Sequence, residues 1–145
     1  MSDAAKIQQI LNLYSDGASR RDFDQVIATF VEDSIWEVAD TPHRFAGTAA
    51  IMGAFRAFTA TTSYLVQMNA PAVIMVDGDK ATARSTIREV GRYSDRDELF
   101  DCVGTYFDSF VRTGEGWRFT HRRFVTHGIS SWPVLPGVAS AIEPG

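Results

Sequence analysis

Apolar side chains return every three to four residues through the first sixty positions of the chain. Ile7, Ile10, Leu11 and Tyr14 fall at i, i+3, i+4 and i+7, one apolar stripe over two helical turns. The stretch Gly17 to Arg21 is expected to break that helix. Asp22 then stands where an N-cap belongs, with Gln25 three residues on to complete a capping box. Phe23, Val26, Ile27 and Phe30 repeat the spacing, so a second, short helix follows. Ser34, Trp36 and Val38 alternate with Asp33, Ile35 and Glu37, a short strand. After the Thr41-Pro42 turn, "HRFAG" is placed to pair back as a hairpin, and Thr48 caps a third helix carrying Ile51, Phe55 and Phe58.

The second half changes period. Turn signals at Asp77-Gly78-Asp79, Ser94 to Asp97 and Thr113 to Gly116 separate four β-rich runs. Each run is roughly 12 to 16 residues long, against the usual ~5–6. Antiparallel strands of that length must twist and bend. Pro71 marks a bulge or edge position in the first run, and Gly104 a bend in the third. Three helices beside a long curved antiparallel sheet make an α+β fold. Helices closing the concave side would leave a cone with an interior. The end of the chain, "SSWPVLPGVASAIEPG", holds three of the five prolines. The expectation is one domain over residues 1–128 and an irregular tail over 129–145.

Composition narrows the class. A chain of 145 residues with 45% hydrophobic and 22% charged residues suits a single soluble domain. The net charge is −4 and Lys/Arg are scattered, which argues against nucleic acid or a membrane surface as partner. Cys102 is alone, so no intrachain disulfide forms, and the opening residues are polar. A cytoplasmic protein is expected, with no transmembrane segment. Histidines at 43, 121 and 127 have no metal-ligand spacing, and "DGD" and "TGEG" are hairpin turns rather than phosphate loops. No metal and no cofactor are expected. The acid in "YFDSF" is the sharpest chemical feature: an inward Asp108 must be paired or neutralised.

The order of these elements resembles the NTF2-like superfamily, and within it the SnoaL-like group. The resemblance is carried by "ILNLYSDGASRRDFDQVIATFVEDSIWEV", "FAGTAAIMGAF", "VDGDKATA" and "GTYFDSFVRTGEGWRFTHRR". It implies a cone enclosing a pocket and a homodimer through the sheet. It does not single out a function, because the superfamily includes isomerases, dehydratases, cyclases, epoxide hydrolases, non-catalytic subunits and binding proteins. In its ketosteroid isomerase branch a pocket Tyr lies eight residues before an Asp, as Tyr14 precedes Asp22, and a pocket Asp on the third long strand matches Asp108. With Asp108 inward, Tyr106, Phe110, Cys102 and Phe100 share its face. A neutral carboxylic acid beside a Tyr hydroxyl forms a donor pair for a developing enolate oxygen.

The match to catalytic branches is incomplete. The isomerase base position is Val38, with Glu37 of the wrong parity and Asp40 in the turn. The dehydratase branch needs an Asp where this chain has Ser19, and a His where it has Gln67 or Leu65. What remains is a candidate site with Tyr14, Asp108 and His121 as acid/base groups. Trp36, Phe55, Gln67, Arg88, Tyr106 and Arg123 are its candidate ligand contacts. An inward Arg88 would neutralise Asp108 or hold an acidic ligand in bidentate fashion. Each residue also has a structural explanation: Asp108 in a buried ion pair with Arg88, Arg122 or Arg123, Trp36 in the core, His121 exposed, His43 in a turn at a pocket mouth. The function expected first is a cofactor-independent dehydratase, isomerase or cyclase acting on an apolar ring-containing metabolite. The alternatives are a non-catalytic binding protein and an accessory subunit like the β subunit of an aromatic-ring dioxygenase.

Overall fold

The computed structural model describes residues 1–135. Helix α1 (Asp3–Arg20) starts at the Ser2 N-cap, whose hydroxyl accepts from the Ala5 N–H at 3.1 Å, and stops at Arg21 in left-handed conformation. It runs straight through Gly17, where a break was expected. A Cβ there would stand 2.9 Å from Val26 Cγ2 and 3.0 Å from the Asp22 carbonyl oxygen. That glycine is a contact surface for α2 (Phe23–Ile27), not a stop signal. Asp22 caps α2 by accepting from Gln25 N–H at 3.1 Å, but the Gln25 side chain turns away to the Leu13 carbonyl and Asp16.

Strand β1 (Phe30–Val38) pairs with β2 (Arg44–Ala46) as the expected hairpin. Helix α3 (Thr48–Ala60) follows, with Gly47 rather than Thr48 at the N-cap position. The first long β run is split in two, β3 (Thr62–Asn69) and β4 (Val73–Asp77), both paired antiparallel to β5 (Lys80–Tyr93). Pro71, lacking an N–H, occupies the break; Ala70 donates to Thr86 O and Ala72 to Gln8 Oε1, both at 2.9 Å. Strands β6 (Glu98–Thr113) and β7 (Gly116–Pro133) complete a seven-stranded sheet of order β2-β1-β7-β6-β5-β3, with β4 also on β5. Three helices pack on this curled sheet. The sheet is mixed, because β1 lies parallel to β7; an all-antiparallel sheet was expected. Strand β7 pairs with β6 as far as Pro133, so residues 129–133 are strand where a tail was expected. The rest of that expected tail, 136–145, lies outside the described residues. Among the described residues no helix is long and apolar enough to cross a membrane.

Strand register decides which side chains enter the interior. On β6 the even positions Phe100, Tyr106, Asp108 and Phe110 are buried, while Val103 and Phe107 face out. On β7 the alternation breaks twice. Ser109 pairs with His121 and Phe110 with Phe119, leaving Thr120 as an extra residue, and His127 is skipped likewise between Gly104 and Val103. Trp117 and Phe119 point inward before the first bulge, and Arg122 and Phe124 after it. At Gly104 a Cβ would overlap the Phe124 ring, so only glycine lets that ring cross β6. The apolar core gathers α1, α2, α3 and the concave sheet face around Ile7, Leu11, Val26, Ile51, Phe110 and Phe119.

Candidate active site

Between the helices and the sheet lies a cavity of about 420 Å³ with an aromatic wall. Tyr14 comes from the apolar stripe of α1, Trp36 from β1, Phe55 and Phe58 from α3, and Tyr106 and Phe100 from β6. Tyr14 is fully buried, edge-on to Phe55 at 5.6 Å and to Tyr106 at 6.0 Å. Its hydroxyl lies 3.2 Å from that of Tyr106, which also accepts from Trp36 Nε1 at 3.3 Å. Among the described residues Tyr106 is the only hydrogen-bond partner of the Tyr14 hydroxyl, and an unsatisfied buried donor is costly. Either hydroxyl can be the donor of that bond, and in both arrangements one phenol proton of the pair is left for an acceptor in the cavity. Burial raises the pKa of both phenols, so both are neutral donors at pH 7.

Behind the two phenols sits Arg122. Its guanidinium carbon is 4.1 Å from the Tyr14 ring centroid, 3.7 Å from Tyr106 and 4.3 Å from Phe119. It holds Asp108 through Nε–Oδ1 at 2.7 Å and Nη2–Oδ2 at 3.0 Å, with both side chains sealed from solvent. Burial pushes the Asp108 carboxyl up, and the guanidinium charge opposes the shift. Asp108 thus faces inward but closes an ion pair and is absent from the cavity wall. The expected donor pair of Tyr14 with a neutral Asp108 is replaced by a Tyr14–Tyr106–Trp36 network.

The other expected site residues divide by face. Tyr14, Trp36, Phe55, Gln67 and Tyr106 all line the cavity. Arg88 does not: it lies on the outer face, paired with Asp101. His121 and Arg123 border a groove of about 300 Å³ on that same outer face, and His121 Nε2 sits 2.9 Å from Glu37 Oε2. The Thr120 bulge is the cause, since unbroken alternation would have placed His121 with Phe119. His43 is exposed at the cavity edge, stacked on Phe45 and edge-on to Phe58.

A carboxyl that the sequence pattern did not single out completes the wall. Glu89 of β5 lines the cavity beside Cys102, directly opposite it on β6, and Gln67, opposite it on β3. Gln67 Nε2 donates to Glu89 Oε2 at 2.7 Å. Burial raises the Glu89 pKa, and the Gln67 hydrogen bond opposes the shift. The Cys102 thiol is pushed up to about 11, first by burial and then by the Glu89 charge, which leaves it a protonated spectator. The signal was present: Ala81, Ala83 and Ile87 are buried on the odd face of β5, and Glu89 continues that series. Among the described residues no three His, Cys, Asp or Glu side chains gather to hold a metal ion.

Residues 1–123 match the family model described as a SnoaL-like domain. This chain belongs to the SnoaL-like domain family. An uncharacterized protein of Mycobacterium tuberculosis is 29% identical to this SnoaL-like chain over 133 residues, 84% of each. The crystal structure of an NTF2-like protein with a cystatin-like fold from Novosphingobium aromaticivorans is 26% identical, with a TM-score of 0.71 over 96% of this chain and 86% of that one. Hexachlorocyclohexane dehydrochlorinase LinA-type3 from Novosphingobium barchaimii superposes with a TM-score of 0.81 at 14% identity, covering 97% of this chain and 94% of that one. Within this SnoaL-like cone, Val38 is an apolar part of the cavity wall, and the Ser19 hydroxyl accepts the Gln67 backbone N–H at 2.9 Å. The polar groups of the cavity are instead a phenol pair, Tyr14 and Tyr106, and a carboxyl, Glu89, in one aromatic enclosure.

Proposed function

We propose that this protein is an enzyme that takes a largely apolar, ring-containing metabolite into the aromatic cavity and moves a proton there with its own side chains. Dehydration, a related elimination, isomerisation and cyclisation are the reactions that fit. The observation that carries this reading is the Tyr14–Tyr106 hydroxyl pair. Trp36 donates to Tyr106 and a single bond joins the two hydroxyls, so one phenol proton of the pair is left for a ligand. Such a donor, preorganised in a site of low dielectric, stabilises negative charge developing on a substrate oxygen or leaving group. The flat walls of Trp36, Phe55 and Tyr106 suit a ring. The dehydrochlorinase of like fold, which by its name acts on a chlorinated cyclohexane, supports an elimination on such a ring.

The test is native mass spectrometry of the protein equilibrated with a cell extract. A captured ring-containing species should be converted on incubation with the wild type and returned unchanged by the double variant Tyr14→Phe/Tyr106→Phe. Recovery of the unchanged species from the wild type would make this a binding protein instead. On the outer face, exposed Val73, Met75 and Phe107 support pairing with a second copy; sedimentation as a monomer at micromolar concentration would rule that out.

A further inference from the structure

Among the described residues the cavity wall carries one carboxyl, no lysine or arginine, and one histidine, His43, at its exposed edge. The nearest buried cation, Arg122, is neutralised by Asp108 and screened by the Tyr14 and Tyr106 rings. The groups that face Glu89 are Gln67 from β3, Cys102 and Tyr106 from β6, and Tyr14 from α1. At neutral pH all four are uncharged. None of them attracts an anion, and the Glu89 carboxylate repels one.

We infer that Glu89 is the proton acceptor of this site, positioned by Gln67, and that its substrate is an uncharged molecule presenting an acidic proton to that carboxylate. The inference rests on the enzymatic reading of the cavity given above. Two geometric facts support it. Gln67 is the only hydrogen-bond partner of the carboxyl among the described residues, and it holds Oε2 alone. Oε1 is left for a ligand. Gln67 Oε1 is in turn buried with no partner among the described residues. Turning the Gln67 amide over therefore breaks no second protein hydrogen bond. The amide offers N–H to an ionised Glu89 and C=O to a protonated one, so both states of a proton carrier are accommodated. Burial also raises the carboxyl towards working pH, where a general base is most effective.

The probe is 5-nitrobenzisoxazole, a neutral, flat ring with one acidic C–H. The Glu89 carboxylate takes that proton, the C–H electron pair becomes part of a C≡N bond, and the N–O bond breaks. The product is a cyanophenolate whose oxygen accepts from the Tyr14–Tyr106 pair, and its absorbance gives the rate. The wild type should act above the buffer background, along a single ionisation lying above the ordinary glutamate range. Glu89→Gln should lose about 100-fold or more. Glu89→Asp, which keeps a retracted carboxyl, should retain the pH profile at a reduced kcat and serves as the folded control. Gln67→Leu should move that ionisation upward, a shift that a purely structural role would not produce. Quenching of tryptophan fluorescence, with Trp36 in the wall, reports binding separately. Probe bound, with Glu89→Gln as fast as the wild type, overturns the assignment and leaves the cavity reading standing. Probe not bound at all overturns both.

Discussion

Replacing Asp108 with Asn separates a structural carboxyl from a ligand-facing one. The Asp108–Arg122 pair is bidentate and its side chains are 0% and 2% exposed. Asn keeps the shape of Asp but removes the charge and turns one acceptor into a donor facing Nη2. The guanidinium cannot shed its proton in compensation, so a buried cation is left without a counter-ion. Removing one partner of a buried pair costs about 3–5 kcal/mol. The stacking of Arg122 on Tyr14, Tyr106 and Phe119 is present in both proteins and does not offset the loss. At about 2–4 °C per kcal/mol for a chain near this size, the melting temperature should fall by about 6–20 °C. Urea unfolding followed by circular dichroism measures the loss directly, with the slope m as a check that the transition stays two-state. The double variant Asp108→Leu/Arg122→Met should recover most of it, because the charges leave together. Stability within about 1 kcal/mol of the wild type for Asp108→Asn would refute the buried pair. A double variant no better than the single would refute the uncompensated charge as the cause.

The raised pKa of Glu89 has a definite sign for stability. Its folded value lies above its unfolded one, so its contribution is complete below the unfolded pKa and is lost as pH rises through the folded value. Glu89→Gln should therefore be more stable than the wild type at pH 7, by about 1.4 kcal/mol for every tenfold loss of carboxyl acidity on folding. The advantage should vanish on acidification below the ordinary glutamate range, and parallel urea curves at the two pH values would sink this account if the gap stayed constant. Gly104→Ala should cost about 1–3 kcal/mol, since the new methyl meets the Phe124 ring and the Val125 carbonyl. It should also weaken probe binding by pushing Phe124 towards the cavity; thermal melting and fluorescence titration check the two effects.

Hydrophobic periodicity was enough to place all three helices, the β1–β2 hairpin and the long strands, because burial of one face is a local property of the chain. It put Tyr14 on the buried stripe of α1 and Tyr106 and Asp108 on the inward face of β6, a strand whose alternation is unbroken. The presence of an inward acid at 108 was legible; its partner was not. Arg122 rather than Arg123 enters the core, and His121 leaves the site, because one extra residue at Thr120 reverses the faces from there to the second bulge at His127. Nothing in the local spelling of β7 announces that bulge. It arises where β7 must follow both β6 and the parallel β1 on a strongly curved sheet. Glu89 shows the same limit from the other side, since its odd parity was readable from Ile87 but its meeting with Gln67 and Cys102 depends on two registers at once. Side-chain period is written residue by residue, whereas pairing between distant strands is settled only when the whole sheet closes around its hollow.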